Sequence, residues 1–367
     1  MKIPYSYLGR QFKNINPYLK DIARLVKSGD FTLGKDVAKF EENFSKLCKI
    51  PYAIGVSSGT DALILSLEIL GIGQGDEVIT TPNTFIATVG AIAMSGARPV
   101  FVDNNEEYTI DVDKIEKAIT PKTKAILAVH LSGCPADMPR IMEIAKKHNL
   151  LVVEDAAQSI LAAIDGKHVG SWGETACFSM HPLKNLNVWG DSGIIVTRSK
   201  QLCERLKLFR NHGLSTRDEI EIFGHNSRLD SLQAVIANRL IKDVVSITEK
   251  RIANARRFDE AFKSLKGYIT IPPRRPNVKQ VYHTYVIQAK NRDALYAYML
   301  KKGVEVKIHY PIPLHLQKAA NNLGYKKGDF PVCERHCSTI ITLPVHQHLT
   351  TKEMDYIIKC VREFYLG

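Results

Sequence analysis

The sequence has no apolar run approaching the roughly 20 residues needed to cross a bilayer. Its opening, Met1-Lys2-Ile3-Pro4-Tyr5-Ser6, lacks the apolar stretch and small-residue cleavage site of a secretory leader. No membrane partner is expected, and the expected location is the cytoplasm. Internal repeats, low-complexity tracts and disordered-tail compositions are also missing. Cysteine is sparse: Cys48, Cys134, Cys177, Cys203, Cys333, Cys337 and Cys360 form an odd, scattered set of seven. Such a set fits reduced thiols better than a disulfide framework. No Gly-Lys-Ser/Thr follows a Gly-rich turn, which excludes a P-loop.

Acidic residues fall short of basic ones by 38 to 50, a formal charge of +12. The basic residues come as short pairs such as Arg256-Arg257, Arg274-Arg275, Lys301-Lys302 and Lys326-Lys327. A nucleic-acid surface would cluster them with interleaved aromatics or carry a recognisable motif. The excess reads as mainly solvated surface, with a minority serving small phosphorylated ligands. Nucleic acid is not an expected partner.

What is present is an ordinary soluble composition, 45% hydrophobic and 24% charged over 367 residues, for which two domains are the natural expectation. From Tyr52 onward, short β-rich runs alternate with helical stretches. Strands are expected at Tyr52–Val56, Glu77–Thr81, Pro99–Asp103, Lys124–His130, Leu150–Asp155, Ala176–Met180 and Gly193–Thr197. Helices are expected between them at Asp61–Leu70, Ile86–Met94, Val112–Ile119 and Met138–His148, with another near Gln201–Arg210. The alternation argues for an open, mostly parallel α/β sheet covered on both faces, with ligands at the carboxyl ends of the strands. After Val245 the pattern changes to a charged helix, Thr248–Leu265, a Pro/Arg-rich link, a β-like run Val281–Gln288 and a helix near Ala294–Lys302. We expect a large α/β domain over residues 1–245 and a smaller α+β domain over 246–367.

Three segments carry chemistry. In Val56-Ser57-Ser58-Gly59-Thr60-Asp61, a strand runs through a small turn straight into a helix, whose free N–H groups suit a phosphate. By itself this is an ordinary Ser/Thr cap. Gly71-Ile72-Gly73-Gln74-Gly75 follows a helix and opens none, so it reads as a turn rather than a dinucleotide fingerprint. Asp155, in Val152-Val153-Glu154-Asp155-Ala156-Ala157-Gln158, ends a buried strand, a costly place for a carboxylate without a cationic partner. A pyridinium nitrogen is such a partner, and an Asp capping the next turn is the simpler alternative. Lys184, in Ser179-Met180-His181-Pro182-Leu183-Lys184-Asn185, lies between two β-rich runs, where partial desolvation lowers an amine's pKa and makes it nucleophilic. Phosphate turn, strand-end Asp and later Lys form an order more specific than any one of them.

With these segments the chain resembles the DegT/DnrJ/StrS family of pyridoxal-phosphate-dependent sugar aminotransferases, of fold type I. The resemblance covers nearly the whole chain, including Ser58-Gly59-Thr60-Asp61, Thr84-Phe85, Glu154-Asp155-Ala156-Ala157-Gln158, Lys184-Asn185, Asn226-Ser227-Arg228 and His309-Tyr310-Pro311. It implies that Lys184 is the Schiff-base lysine and proton shuttle, and that Asp155 pairs with the pyridinium nitrogen. It further implies that Gln158 approaches the phenolic oxygen and Phe85 stacks on the ring. The phosphate would be held by Gly59, Thr60, Ser179 and, from a partner subunit, Asn226. A homodimer with shared sites is thereby implied. His309 and Tyr310 would lie near the sugar nucleotide.

The implied reaction moves an amino group from L-glutamate to a nucleotide-linked keto-deoxysugar. A dTDP-linked 3-keto-6-deoxyhexose is the first choice and a 4-keto sugar the second. A dehydratase or isomerase on the same fold remains open, as does a non-catalytic regulatory protein. Asn187 and Trp189 depart from the family's usual Lys-Asn-Leu-Gly continuation and put the substrate pocket in question. Cys333-Glu334-Arg335-His336-Cys337 has metal-ligand residue types but no second cluster, so no metal is expected.

Overall fold

In a computed structural model, residues 1–367 are all described. Seven strands build the central sheet: β1 (Tyr52–Val56), β2 (Glu77–Thr80), β3 (Arg98–Phe101), β4 (Thr123–Val129), β5 (Leu151–Asp155), β6 (Thr175–Ser179) and β7 (Gly193–Thr197). Their spatial order is β1-β7-β6-β5-β4-β2-β3. All neighbouring pairs from β6 to β3 are parallel, and β7 runs antiparallel to both β1 and β6. Strands this deep are covered on both faces, which is why β4 reads as Ala-Ile-Leu-Ala-Val and β5 opens with Leu-Val-Val rather than alternating. Every strand expected between residues 52 and 197 is present within three residues of its expected ends.

Helix Gly59–Ile69 lies buried against the sheet, and Ala62 through Leu67 and Ile69 are all covered. Its middle, Ala62–Leu67, is apolar but for Ser66, as the enclosed part of a helix must be. Two amphipathic helices not anticipated from the sequence, Asn16–Ser28 and Lys35–Cys48, precede β1. The second buries Val37, Phe40, Phe44 and Cys48, a helical spacing that is visible in the sequence. Neither helix has a side-chain N-cap, so the usual start signal is missing.

Beyond helix Val244–Phe262 the chain forms a second layer with its own core, including Phe258, Leu295, Met299, Ile357 and Val361. Its three-stranded antiparallel sheet centres on β8 (Tyr285–Ala289), flanked by Ile269–Thr270 and β9 (Ile340–Leu343). The expected strand Val281–Gln288 starts late, because Tyr282 takes a left-handed conformation at φ 49° that no strand accommodates. Ile3, at the other end of the chain, joins this core: its N–H donates to Gly303 O at 2.8 Å, and its carbonyl accepts from Glu305 N at 2.9 Å. We propose to keep the domain division near residue 245, counting Ile3 with the second unit.

A buried ion pair links the helices to the sheet edge. Glu41 Oε1 accepts from Gly55 N at 2.8 Å and from Arg210 Nη1, which also donates to Gly55 O at 2.6 Å. Removing one charge strands the other, which typically costs about 3–5 kcal/mol. We expect Glu41→Ala to lower the free energy of urea-induced unfolding by about that amount, without change in the denaturant slope.

Candidate active site

The carboxyl ends of β1, β4, β5 and β6 face a cavity of about 430 Å³. Its wall includes Ser58, Gly59 and Thr60 from the turn after β1, and Thr84 and Phe85 from the loop after β2. Asp155 at the end of β5, Gln158 just beyond it, Ser179 at the end of β6, and Lys184 add to it. His309 and Tyr310 close it from the second layer. Nine of the ten residues singled out in the sequence thus converge on one space. Asn226 is the exception: it is exposed and pairs with Asn211, away from this cavity.

The β1 turn is built for close approach. Ser58 caps the helix, its Oγ accepting from Asp61 N at 3.0 Å. A Cβ on Gly59 would sit 2.6 Å from Ser179 Cβ, and one on Gly193 would sit 2.2 Å from Ser58 O. Both positions therefore exclude any side chain, and the helix start lies directly at the cavity wall. Its unpaired N–H groups and dipole favour an anion there.

Asp155 is buried, and its two hydrogen-bond partners are uncharged. Thr88 Oγ1 donates to Oδ2 at 2.7 Å and Ala157 N donates to Oδ1 at 3.1 Å. Thr84 Oγ1 lies 2.8 Å from Thr88 Oγ1 and extends the chain. Thr84 was named in the sequence only within the Thr84-Phe85 motif, and Thr88 was not singled out. The available signal was a hydroxyl inside the apolar helix Ile-Ala-Thr-Val-Gly-Ala-Ile, since a buried hydroxyl requires a partner. Adjacent Glu154 plays a different part: it accepts from Gly170 N, Trp172 N and Gly173 N at 2.7–2.9 Å and pairs with His130 at 3.1 Å.

Lys184 is only half-buried because its side chain faces the cavity, yet loss of water lowers its pKa to about 8, with Asp155 acting in the opposite direction. Its loop is tied down on both sides. Lys184 N donates to His181 O at 2.8 Å, and Tyr7 Oη donates to Lys184 O at 3.0 Å and Leu183 O at 3.2 Å. Burial and then the Lys184 charge push His309 down to about 4, while burial raises Tyr310 to about 12, so both are neutral at pH 7. Gln158 Oε1 accepts from Ser132 N at 2.7 Å. Phe85 is 51% exposed, its ring 6.1 Å from that of Tyr310, which leaves an aromatic face free at the cavity.

Asn187 and Trp189, the residues that put the pocket in question, face away from it. Asn187 bonds to Gln11, and Trp189 packs on Phe12 and Tyr18. Cys333 and Cys337 lie buried beside Phe101 and Phe330, and His336 faces Glu106.

A seven-stranded sheet of this order, with its cavity at the strand ends, is the architecture of the pyridoxal-phosphate-dependent enzymes of fold type I. Within that class, residues 14–362 match the DegT/DnrJ/EryC1/StrS aminotransferase family, and the chain belongs to it. A transaminase of Aneurinibacillus thermoaerophilus, named for dTDP-3-amino-3,6-dideoxy-alpha-D-galactopyranose, is 40% identical over 342 residues, 93% of each chain. A Geobacillus stearothermophilus relative described as a pleiotropic regulatory protein is 38% identical over all of this chain and 99% of its own. The crystal structure of Streptomyces venezuelae DesV in complex with a ketimine intermediate superposes with a TM-score of 0.97 at 36% identity, covering 100% of this chain and 99% of that one. The cofactor fits the residues present: a turn that excludes side chains at a helix start, a buried carboxylate with only neutral donors, and an amine across the same space.

Only a neutral amine acylates, and the lowered pKa means that the neutral fraction of Lys184 grows as pH rises through 8. In cofactor-free protein, competitive acetylation of Lys184 is expected to show a midpoint near pH 8. A midpoint at the value of exposed lysines would contradict the desolvation described above.

Proposed function

We propose that this aminotransferase moves the amino group of L-glutamate onto a nucleotide-linked keto-deoxysugar, with a dTDP-3-keto-6-deoxyhexose as first choice. The reading rests on one observation: the Lys184 amine and the Asp155 carboxylate share a cavity entered by the start of helix Gly59–Ile69. A 3-amino product in the name of the Aneurinibacillus relative supports the 3-keto position over the 4-keto one. The neutral His309 and Tyr310 suit the hydroxyl-rich face of a sugar.

Bound pyridoxal phosphate supplies the electron sink for the pair released when a Cα–H bond breaks. The residues supply position and charge. Gly59 and Thr60 N–H groups, with the Thr60 and Ser179 hydroxyls, would hold the phosphate. Asp155, oriented by Thr88, would keep the ring nitrogen protonated. Phe85 would cover the ring, and Gln158 would stand by its phenolic oxygen. Lys184 would hold the cofactor covalently in the resting enzyme. During turnover its Nζ would take the proton from the donor's α-carbon and, in the second half-reaction, would deliver one to the sugar carbon that receives the amine. Two half-reactions sharing one site give ping-pong kinetics.

A homodimer completes the proposal. Asn226 would reach the phosphate of a second copy from its exposed segment, beside Ile220 and Phe223, which are 61% and 97% exposed. We place the enzyme in the cytoplasm, where its seven free cysteines stay reduced, making an amino sugar for a lipopolysaccharide or another glycan.

Incubation with L-glutamate and a panel of nucleotide-linked 3-keto and 4-keto sugars should give 2-oxoglutarate and amino sugar in equal amounts. Sugar turnover without 2-oxoglutarate would instead identify a dehydratase or isomerase. Lys184→Ala should abolish turnover along with the visible absorbance of the bound cofactor, and Asp155→Ala should lose most activity. Thr88→Val removes a hydrogen bond to a charged group and should slow kcat about tenfold or more, with wild-type melting behaviour. An unchanged kcat would remove Thr88 from the site.

A further inference from the structure

Beside the main cavity lies an annex of about 60 Å³, and Leu183, His283, Thr284 and His309 line both spaces. The annex also meets Arg251, which is 2% exposed and among the largest fully buried side chains of the molecule. Most of its guanidinium is committed. Nε donates to Gln347 Oε1 at 3.1 Å, and Nη1 donates to the carbonyls of Tyr282 at 3.3 Å and His283 at 3.1 Å. Nη2 is buried without a hydrogen-bond partner. The Tyr7 ring lies 5.2 Å below the guanidinium, its hydroxyl proton already shared between Leu183 O and Lys184 O.

A buried guanidinium with a free donor and no carboxylate partner is unfavourable until an anion arrives. Nothing in the annex supplies one. Its other titratable lining groups are Tyr5, Tyr7, His283, His309 and His346. Burial raises the tyrosines and lowers the histidines, leaving all five neutral near pH 7. Arg251 is therefore the single charge facing this space.

Size and position narrow the ligand. At about 60 Å³ the annex is far smaller than the main cavity of about 430 Å³ and suits a compact anion such as one carboxylate. Lys184 lines the main cavity and not the annex, Arg251 lines the annex and not the main cavity, and His283 lines both. The two cations thus belong to adjoining spaces that meet at His283. Such a separation suits an amine and a carboxylate on one short chain rather than on one carbon.

We propose that Arg251 and the annex form the amino-donor carboxylate subsite, holding the distal carboxylate of L-glutamate while its amine lies at Lys184. This rests on the aminotransferase reading above and specifies the donor: an amino dicarboxylate rather than a neutral or basic amino acid. Arg251 is a specificity residue that touches the donor and leaves the sugar half-reaction alone.

The test follows the absorbance of the bound cofactor in the holoenzyme during the donor half-reaction, with L-glutamate and with L-norvaline, its equivalent lacking the distal carboxylate. Arg251→Met should weaken L-glutamate binding about 10- to 100-fold and leave L-norvaline and the sugar half-reaction within about twofold of wild type. Arg251→Lys should recover part of the loss. Equal weakening of both donors, no weakening of L-glutamate, or a loss confined to the sugar half-reaction would overturn the subsite. If Arg251→Met does not fold, the unaltered holoenzyme decides. L-Norvaline must bind it at least about tenfold more weakly than L-glutamate, and equal binding overturns the proposal. A wild type spectrally silent toward every amino donor would overturn the aminotransferase reading itself, and the subsite with it.

Discussion

A carboxylate buried at the end of a central parallel strand, satisfied only by neutral donors, sets the conditions for everything around it. Asp155 has hydrogen bonds from Thr88 and Ala157, enough to fix its direction but not enough to neutralise it. The amine that faces it across the cavity is itself held short of full charge by loss of water. A ligand with a cationic ring would give the carboxylate a partner, while its anionic tail would meet the free N–H groups at the start of helix Gly59–Ile69. The apolar strands on either side exist in part to keep water from doing that work instead.

The sheet was legible because parallel strands covered on both faces leave a strong trace: short apolar runs at regular intervals, separated by helices. Two of the segments that escaped reading have apolar residues that face only one way. Asn16–Ser28 and Lys35–Cys48 are polar on average and begin without a side-chain cap. Strand β9 is four residues long and sits next to a Cys- and His-bearing helix that drew attention for its ligand types rather than its shape.

Site residues divide in the same manner. Lys184, Asp155 and the Ser58-Gly59-Thr60 turn were visible because each follows or ends a β-rich run, and the three come in a distinctive order along the chain. Thr88, Tyr7, His283 and Arg251 were not, since each reaches the site from an element whose own pattern describes only packing. The concern over Asn187 and Trp189 dissolves for a related reason: both face the amino-terminal segment, so their bulk shapes a joint rather than the cavity.

That amino-terminal segment carries a mechanical consequence. Within nine residues it is anchored in the second layer through Ile3, grips the Lys184 loop through the Tyr7 hydroxyl, and pairs Arg10 with Glu353 on the last helix. It links the core of the second layer to the loop that carries Lys184, with Tyr7 at its middle. Any shift of the second layer against the sheet would therefore be felt in the Lys184 loop as a change in reach, coupling the aperture of the cleft to the position of the Lys184 amine.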